Sequence, residues 1–226
     1  KMVWNEELKR EIPKGWHSSS LQNNLDEFTK GFTSKYVEKS NLINLNQKVN
    51  KGFSLERQYF KFLDERIEIP SSKFAKEKDI LINSLGQGTL GRTHFFCEKP
   101  KNIVVDQHLF ILRVNEEKAP AAFVYLLLSS KPYQKIIENQ ITGSTGMLML
   151  NAQNLKSIPV LNPSQSILSQ FDDLIYPLFE KITINELENE QLASLRDWLL
   201  PMLMNGQVKV SEVIEKEELG MVAEDA

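Results

Sequence analysis

The chain has 226 residues, of which 41% are apolar and 25% are charged, and its formal net charge is −3. This is ordinary globular material, sufficient for one sizeable core and an extension. The longest apolar run, Ala121 to Leu128, is too short to span a bilayer, and the single cysteine, Cys97, excludes an internal disulfide. No secretion leader is recognisable, so we expect a cytoplasmic protein without a membrane segment.

Residues 1–163 predict a mixed domain of short strands with two helices. Pro120 fits the first turn of a helix through AAFVYLLLSS, and Pro132 fits the start of a second helix, PYQKIIENQI. A turn-rich TGSTGM segment and a last strand within LKSIPVL follow. The fold class expected is α+β, with a twisted, mostly antiparallel sheet. Runs rich in β-branched and aromatic residues predict strands in residues 35–45, 78–85, 93–98 and 102–114.

From residue 164 onward the apolar residues recur at helical spacing, and no glycine stands between Ser164 and Asn205. About forty residues predict a helix of roughly 60 Å, which Pro177 should kink or divide and Gly206 should cap. A single apolar stripe of that length needs a partner helix, so we expect a coiled coil. The stripe positions expected to pair are Phe171, Leu174, Leu178, Ile182, Leu192, Leu195 and Leu199.

Charge divides the chain at the same point. Residues 1–163 carry 23 Lys and Arg against 17 Asp and Glu, a net charge of +6, whereas residues 164–226 carry 4 against 13, a net charge of −9. Such asymmetry often separates a part that faces nucleic acid from a part that faces protein. Solvated helices are also often acidic, so the charge split leaves both explanations open.

The stretch Gly86 to Thr93, GQGTLGRT, contains the pattern G-x-G-x-x-G and approaches a phosphate-binding loop with Arg92 in place of lysine. Both nucleotide motifs need a helix after the glycines. The residues that follow, RTHFFCE, instead predict a strand. We therefore expect a β-hairpin turn, which is either an ordinary turn or a loop whose amides and Arg92 approach a DNA phosphate or base edge.

No catalytic or metal-binding set is recognisable. His17, His94 and His108 are scattered along the chain, whereas a zinc site needs clustered ligands. Residues 162–165, NPSQ, resemble the NPPY motif of amino-methyltransferases but lack its second proline and its aromatic residue. We expect no catalysis, no metal and no cofactor on this chain.

Five stretches stand in a specific order along nearly the whole chain. They are EIPKGW at residues 11–16, DILINSLGQGTLGR, VVDQHLFILR, TGSTGMLMLNAQNLKSIPV before a proline-led helix, and LRDWLLPMLMNGQV at residues 195–208. Together they resemble the specificity (S) subunit of type I restriction–modification systems.

The resemblance implies a non-catalytic subunit whose target-recognition domain reads one half of a split sequence in double-stranded DNA. The long helices pair and set the spacing between half-sites. Methyltransferase (M) subunits dock on the S subunit and carry the methyl donor, and restriction (R) subunits can add ATP-driven cleavage. The domains expected are residues 1–163 for target recognition, residues 164–206 for pairing and docking, and residues 207–226 as an acidic tail.

Family members usually hold two recognition domains and two helical regions, and this chain holds one of each. It is therefore either the C-terminal half of a longer subunit or a natural half-length subunit that acts as a homodimer. A different class also stays open, a helical adaptor that organises a protein assembly without reading DNA. An enzyme with an unrecognised site is a third alternative.

The candidate DNA contacts follow from side-chain chemistry. Arg92 can bond guanine through two hydrogen bonds, and Gln87 can do the same for adenine. Hydroxyls and lysines beside glycine-containing loops suit the phosphate backbone. The full set is Lys48, Lys51, Arg57, Gln87, Thr89, Arg92, Thr142, Ser144 and Thr145.

Overall fold

The structure is a computed structural model that describes residues 1–33, 35–143 and 148–208. The chain forms two compact units, of which the first ends at Glu180 and the second begins at Lys181. No helix within the described ranges is long and apolar enough to cross a membrane. The helices are α1 (Ala121–Ser129), α2 (Lys131–Glu138), α3 (Ala152–Lys156) and α4 (Gln165–Met204).

The strands of the first unit are short and form two four-stranded and three two-stranded sheets. They are β1 (Met2–Asn5), β2 (Arg10–Pro13), β3 (His17–Ser20), β4 (Leu25–Lys30), β5 (Tyr36–Val37), β6 (Leu42–Leu45), β7 (Lys61–Leu63), β8 (Ile80–Asn83), β9 (Thr93–Phe95), β10 (Ile103–Val105), β11 (Leu109–Val114), β12 (Ile141–Thr142), β13 (Met149–Leu150) and β14 (Pro159–Asn162).

The expected α+β class is confirmed, although several small sheets replace the single sheet. The two larger sheets have the orders β4-β11-β8-β9 and β10-β6-β7-β5. All the strand pairings described are antiparallel except that of β6 with β10. Part of the last predicted strand is instead the helix α3, because the side chain of Asn151 caps it by accepting bonds from the amides of Gln153 and Asn154.

Strand β11 lies between β4 and β8 and is covered on both faces. Phe110 and Leu112 belong to a core cluster with residues of α1, whereas Leu109 and Ile111 belong to a second cluster with residues of β10. Successive side chains of a strand point to opposite faces, so both clusters meet at β11. The uninterrupted apolar start of this strand is typical of a strand that is buried on two sides.

Arg113 is the charged residue of β11, and its guanidinium is held by a dense set of acceptors. It donates to both carboxylate oxygens of Asp79, at 3.0 and 3.2 Å, and to Glu27. It also donates to the carbonyls of Ser72 and Phe74, at 3.1 and 2.9 Å. Burial raises the pKa of Asp79, and the bonds from Arg113 oppose that shift. Arg113 therefore fastens the turn at residues 71–74 to the central sheet.

We predict that Arg113→Met lowers the free energy of unfolding by about 3–5 kcal/mol, because the Asp79 carboxylate would stay buried without its partner. Urea denaturation measures the change. Arg66→Met is the matched control, since Arg66 pairs with Asp64 at the surface and its side chain is 88% exposed. Equal and small losses in the two variants would show that the Arg113 network is not a structural element.

Helix α4 runs from Gln165 to Met204 without interruption. The expected division at Pro177 is therefore wrong, because one lost backbone bond does not stop a ladder that continues on both sides. The predicted cap at Gly206 is confirmed. Gly206 has a φ of +67° and its amide donates to the Leu203 carbonyl at 3.1 Å, while the Gln207 amide donates to the Met202 carbonyl at 2.9 Å. In the first unit, Leu168 and Phe179 bury α4 against the core.

Candidate nucleic-acid interface

Four loops leave the two larger sheets at the same edge. Because β6 and β10 are parallel, their last residues, Leu45 and Val105, lie side by side. Strand β11 begins where β8 ends, since Leu109 pairs with Asn83, and β4 ends at the same level. The loops that follow β4, β6, β8 and β10 are residues 31–33, 46–60, 84–92 and 106–108.

The turn at residues 106–108 lies at the centre of this edge, because backbone bonds join its ends to the other three loops. These bonds run from the Asp106 amide to the Leu45 carbonyl (2.9 Å), from the Ser84 amide to the His108 carbonyl (2.8 Å) and from the Phe32 amide to the Val105 carbonyl (2.7 Å).

Gly31 lies at the closest approach between two of these loops. A Cβ atom at this position would lie 2.1 Å from the carbonyl oxygen of Asp106 and 2.3 Å from that of Val105. Both obstacles are backbone atoms, so a side chain would force the loop after β4 away from the 106–108 turn. The absence of a side chain is what lets the two loops touch.

Two buried asparagines join the loop after β6 to the glycine-rich loop. The Asn50 side-chain amide donates to the Asn83 side-chain oxygen at 2.9 Å and to the Arg92 carbonyl at 3.1 Å. Asn83 in turn donates to the Gln47 carbonyl at 3.1 Å, and the oxygen of Asn50 accepts from the Gly52 amide at 2.8 Å. Both side chains are fully buried, so each bond also satisfies a group that would be costly to leave unpaired.

The glycine-rich loop is a β-hairpin, as predicted, because β8 and β9 pair antiparallel on either side of it. All three glycines have positive φ. A Cβ atom on Gly91 would lie 2.8 Å from a methyl carbon of Ile137, and the Gln134 side chain donates to the Gly91 carbonyl at 3.1 Å. The Thr89 amide bonds the Gly86 carbonyl at 3.0 Å, so this amide is already used inside the turn. The glycines serve a tight turn pressed against α2.

The basic candidates lie on the loop after β6. Lys48 and Arg57 are exposed. Lys51 pairs with Glu56 at 2.7 Å, and its ammonium lies 5.4 Å from the centre of the Tyr59 ring. Salt bridges at the surface contribute little and exchange readily with solvent, so Lys51 can turn to a phosphate at small cost.

The candidate side chains on the glycine-rich loop differ in their exposure and in the hydrogen bonds that they already make. Gln87 is exposed at the tip. Arg92 is half-buried and donates from one guanidinium nitrogen to the Asn50 carbonyl at 2.9 Å, so it braces the two loops. The Thr89 hydroxyl donates to the Gly86 carbonyl at 3.2 Å. These residues join those of the preceding loop on one edge.

The remaining candidates belong to the β12–β13 segment. Thr142 is exposed at the end of β12, while Ser144 and Thr145 lie outside the described residues. Strand β13 meets the start of the glycine-rich loop, because the Leu150 amide donates to the Ser84 carbonyl at 2.9 Å. Because β12 pairs with β13, Thr142 is joined through β13 to the same edge.

His94 links strand β9 to the loop after β6. It is buried in β9, and its Nδ1 donates to the Gly52 carbonyl at 2.8 Å. Burial lowers the pKa of His94 to about 4. The imidazole is therefore neutral at physiological pH and acts as a structural donor. Within the described parts of the chain, no group of three or more His, Cys, Asp or Glu side chains is placed to hold a metal ion.

We predict that His94 makes the protein less stable as the pH falls. Its folded-state pKa of about 4 lies below the ordinary value of 6.5, so the unfolded state binds the extra proton first. The stabilisation is complete above pH 6.5 and declines toward pH 4, which amounts to about 2 kcal/mol between pH 7 and pH 5. Urea denaturation at the two pH values should show this loss in the wild type and a smaller loss in His94→Asn. The same loss in both proteins would assign the pH dependence to other groups.

The chain was compared with known proteins at the levels of fold and sequence. The S subunit of a type I restriction–modification system from M. genitalium has a TM-score of 0.52 at 16% identity, over 81% of this chain and 42% of that one. The HsdS subunit from Thermoanaerobacter tengcongensis has a TM-score of 0.52 at 15% identity, over 85% and 49%. The fold is thus that of type I specificity subunits.

Sequence comparison leads to the same class. The type I restriction enzyme MjaIX specificity subunit of Methanocaldococcus jannaschii is 28% identical over 217 residues, which are 93% of this chain and 48% of that protein. The HindI specificity subunit of Haemophilus influenzae is 29% identical over 138 residues, or 61% and 29%. No family model matches. The chain is thus similar in sequence and in fold to type I restriction enzyme specificity subunits, which confirms the resemblance, and it spans less than half the length of each of these relatives.

Proposed function

We propose that this chain is the part of a type I specificity subunit that recognises DNA, and that it reads one half of a bipartite target. The observation that carries the proposal is the meeting of four loops at one sheet edge, with exposed Lys48, Arg57 and Gln87 among them, in a homologue of specificity subunits. Specificity subunits are non-catalytic components of type I systems. On this proposal the methyl donor and ATP bind to partner subunits.

The two kinds of candidate side chain have different tasks in this proposal. Lys48, Lys51 and Arg57 supply positive charge for phosphates, which gives affinity and register without reading the sequence. Gln87 at the tip and Arg92 behind it are the side chains whose paired bonds distinguish bases. Because Arg92 also braces the Asn50 turn, it would read a base only by exchanging that bond for one to DNA.

We predict that Lys48→Ala weakens binding to all duplex sequences alike and reduces the slope of log affinity against log salt by about one. Lys101→Ala is the matched control, because Lys101 is an exposed lysine near the amino end of β10, away from the loop edge. Fluorescence anisotropy over a salt series measures the slope. If both variants lose the same amount, the edge is not the DNA surface. If the wild type binds no duplex DNA, alone or with M subunits, the adaptor alternative is favoured.

The stripe of α4 supports a second part of the proposal, that this helix pairs with another helix and sets the spacing between half-sites. Phe171 is half-buried against Phe123, at a ring distance of 5.5 Å, and Leu199 is also half-buried. The other stripe positions are exposed, with relative exposures of 72% for Leu174, 55% for Leu178, 44% for Ile182, 61% for Leu192 and 53% for Leu195.

Such a row of exposed apolar side chains is costly in water and is typical of a surface that another protein covers. The partner helix belongs either to the other half of a longer specificity subunit or to a second copy of this chain. The M subunits, and R subunits where present, would dock on the paired helices. The predicted boundaries at residues 163 and 206 remain part of this proposal.

We predict that Leu192→Lys combined with Leu195→Lys abolishes pairing, because two ammonium groups would enter a packed apolar seam. Sedimentation velocity at micromolar concentration measures the mass of the particle, and a pull-down measures M-subunit binding. The control combines Gln191→Lys with Ser194→Lys, which adds the same charge at exposed polar positions of the same turn. Unchanged mass and unchanged M-subunit binding in the leucine variant would exclude this helix as the interface.

A further inference from the structure

A buried carboxylate lies beneath the centre of the loop edge. The Asp106 side chain is fully buried, and all its described partners are donors. One oxygen, Oδ2, accepts from the Thr33 hydroxyl at 2.8 Å and from the Tyr36 hydroxyl at 3.3 Å. The other, Oδ1, accepts from the His108 amide at 2.9 Å and contacts its Nδ1 at 2.7 Å. Burial and then the charge of Asp106 raise the pKa of Tyr36, as expected beside a carboxylate.

This carboxylate fixes the orientation and the tautomer of the His108 ring. A carboxylate oxygen only accepts, so Nδ1 carries the proton that is shared with Oδ1. In the neutral imidazole, Nε2 is then a hydrogen-bond acceptor. The side chain is 32% exposed, so the ring is accessible to a ligand while its inner nitrogen is held.

His108 also has a central position. Its carbonyl accepts from the Ser84 amide at the start of the glycine-rich loop, and the Asp106 amide binds the carbonyl from which the loop after β6 begins. The basic candidates on these loops, Lys48, Lys51, Arg57 and Arg92, are all donors, which suit phosphates and guanine. The Nε2 atom of His108, by contrast, is a hydrogen-bond acceptor in the middle of these donors. An acceptor repels phosphate oxygens but suits the exocyclic amino group of a base.

We propose that His108 reads one base of the target by accepting a hydrogen bond at Nε2 from an amino group in the major groove, either N6 of adenine or N4 of cytosine. Asp106 is the positioning residue that keeps Nε2 available as an acceptor. The proposal rests on the DNA-recognition function above and adds the residue, the atom and the class of base to it.

The first test selects from a library of randomised duplexes with the full chain, in complex with M subunits, as wild type and as His108→Ala. The wild-type motif should contain one position restricted to adenine or cytosine that becomes degenerate in the variant, while the other positions persist. Identical motifs would overturn the inference and leave the proposed function standing. If no sequence is enriched by either protein, both the inference and the proposed function fail.

The second test removes the amino group itself. At the identified position, adenine is replaced by purine, or cytosine by pyrimidin-2-one, so that only the exocyclic amine is lost. Wild-type affinity should fall by about 2- to 13-fold, the value of one hydrogen bond, while the affinity of His108→Ala should be the same for both duplexes. An equal loss in the two proteins would show that the amine acts through base pairing and not through His108.

The positioning role is tested with a matched pair of variants. Asp106→Asn places an amide where four donors need acceptors, so it should abolish the base preference at that position. Tyr36→Phe removes a bond to the other oxygen of the same carboxylate, Oδ2, whereas His108 is bound by Oδ1, and should keep the preference. Because His108 is at the surface, the His108→Ala result stands even if Asp106→Asn fails to fold. Equal base preference in a folded Asp106→Asn variant would exclude the positioning role.

Discussion

The pairing of β11 with β4 on one side and β8 on the other determines where the loops of this domain lie. A shift of one residue in either pairing would exchange the faces of Phe110 and Ile111 and place each in the wrong core cluster. Burial on both faces therefore specifies the register strongly. With that register set, the ends of β4 and β8 fall beside the start of β11. The parallel pair β6–β10 then brings two more loops to the same place.

The loop edge and the long helix share one core. Phe53, on the loop after β6, stacks on Phe179 of α4 with ring centres 5.5 Å apart and planes 9° apart. Phe95 and Tyr125 lie edge-on to Phe179 at 5.3 and 5.6 Å. Aromatic contacts of this kind add to the energy of burial and restrict relative motion. The first part of α4 therefore packs directly against the loop that carries Lys48, Lys51 and Arg57.

The sequence predicted what local chemistry determines. Pro120 before α1, Pro132 in the first turn of α2, the glycine at the end of α4 and the aromatic strand after the glycine-rich loop each marked an element correctly. Two of its failures were local, the strand expected where part of α3 lies and the division expected at Pro177. The contacts that it could not supply join partners that are distant along the chain. Asn50 and Asn83 are ordinary turn and strand residues until the fold brings them together, and Asp106 cannot be connected to Tyr36 by spacing. The convergence of four loops depends on the pairing of β6 with β10. These two strands are far apart in the sequence, and no repeating pattern of residues predicts that they pair.

The loop edge contains two kinds of position, which are close contacts between loops, such as Gly31, and exposed loop tips, such as Gln87. Where a Cβ atom would lie 2.1 Å from the Asp106 carbonyl, no amino acid other than glycine fits without separating two loops. Gln87, by contrast, is exposed at the tip of a hairpin. The shape of that hairpin is set by its glycines and by the buried strand residues from which it extends. Substitutions at such tips change the free energy of folding little, whereas substitutions at the close contacts disrupt the packing of the loops. If the domain reads DNA as proposed, exchanging such tip residues alone would change the sequence that is read, which would offer a protein engineer a route to new specificities on an unaltered scaffold.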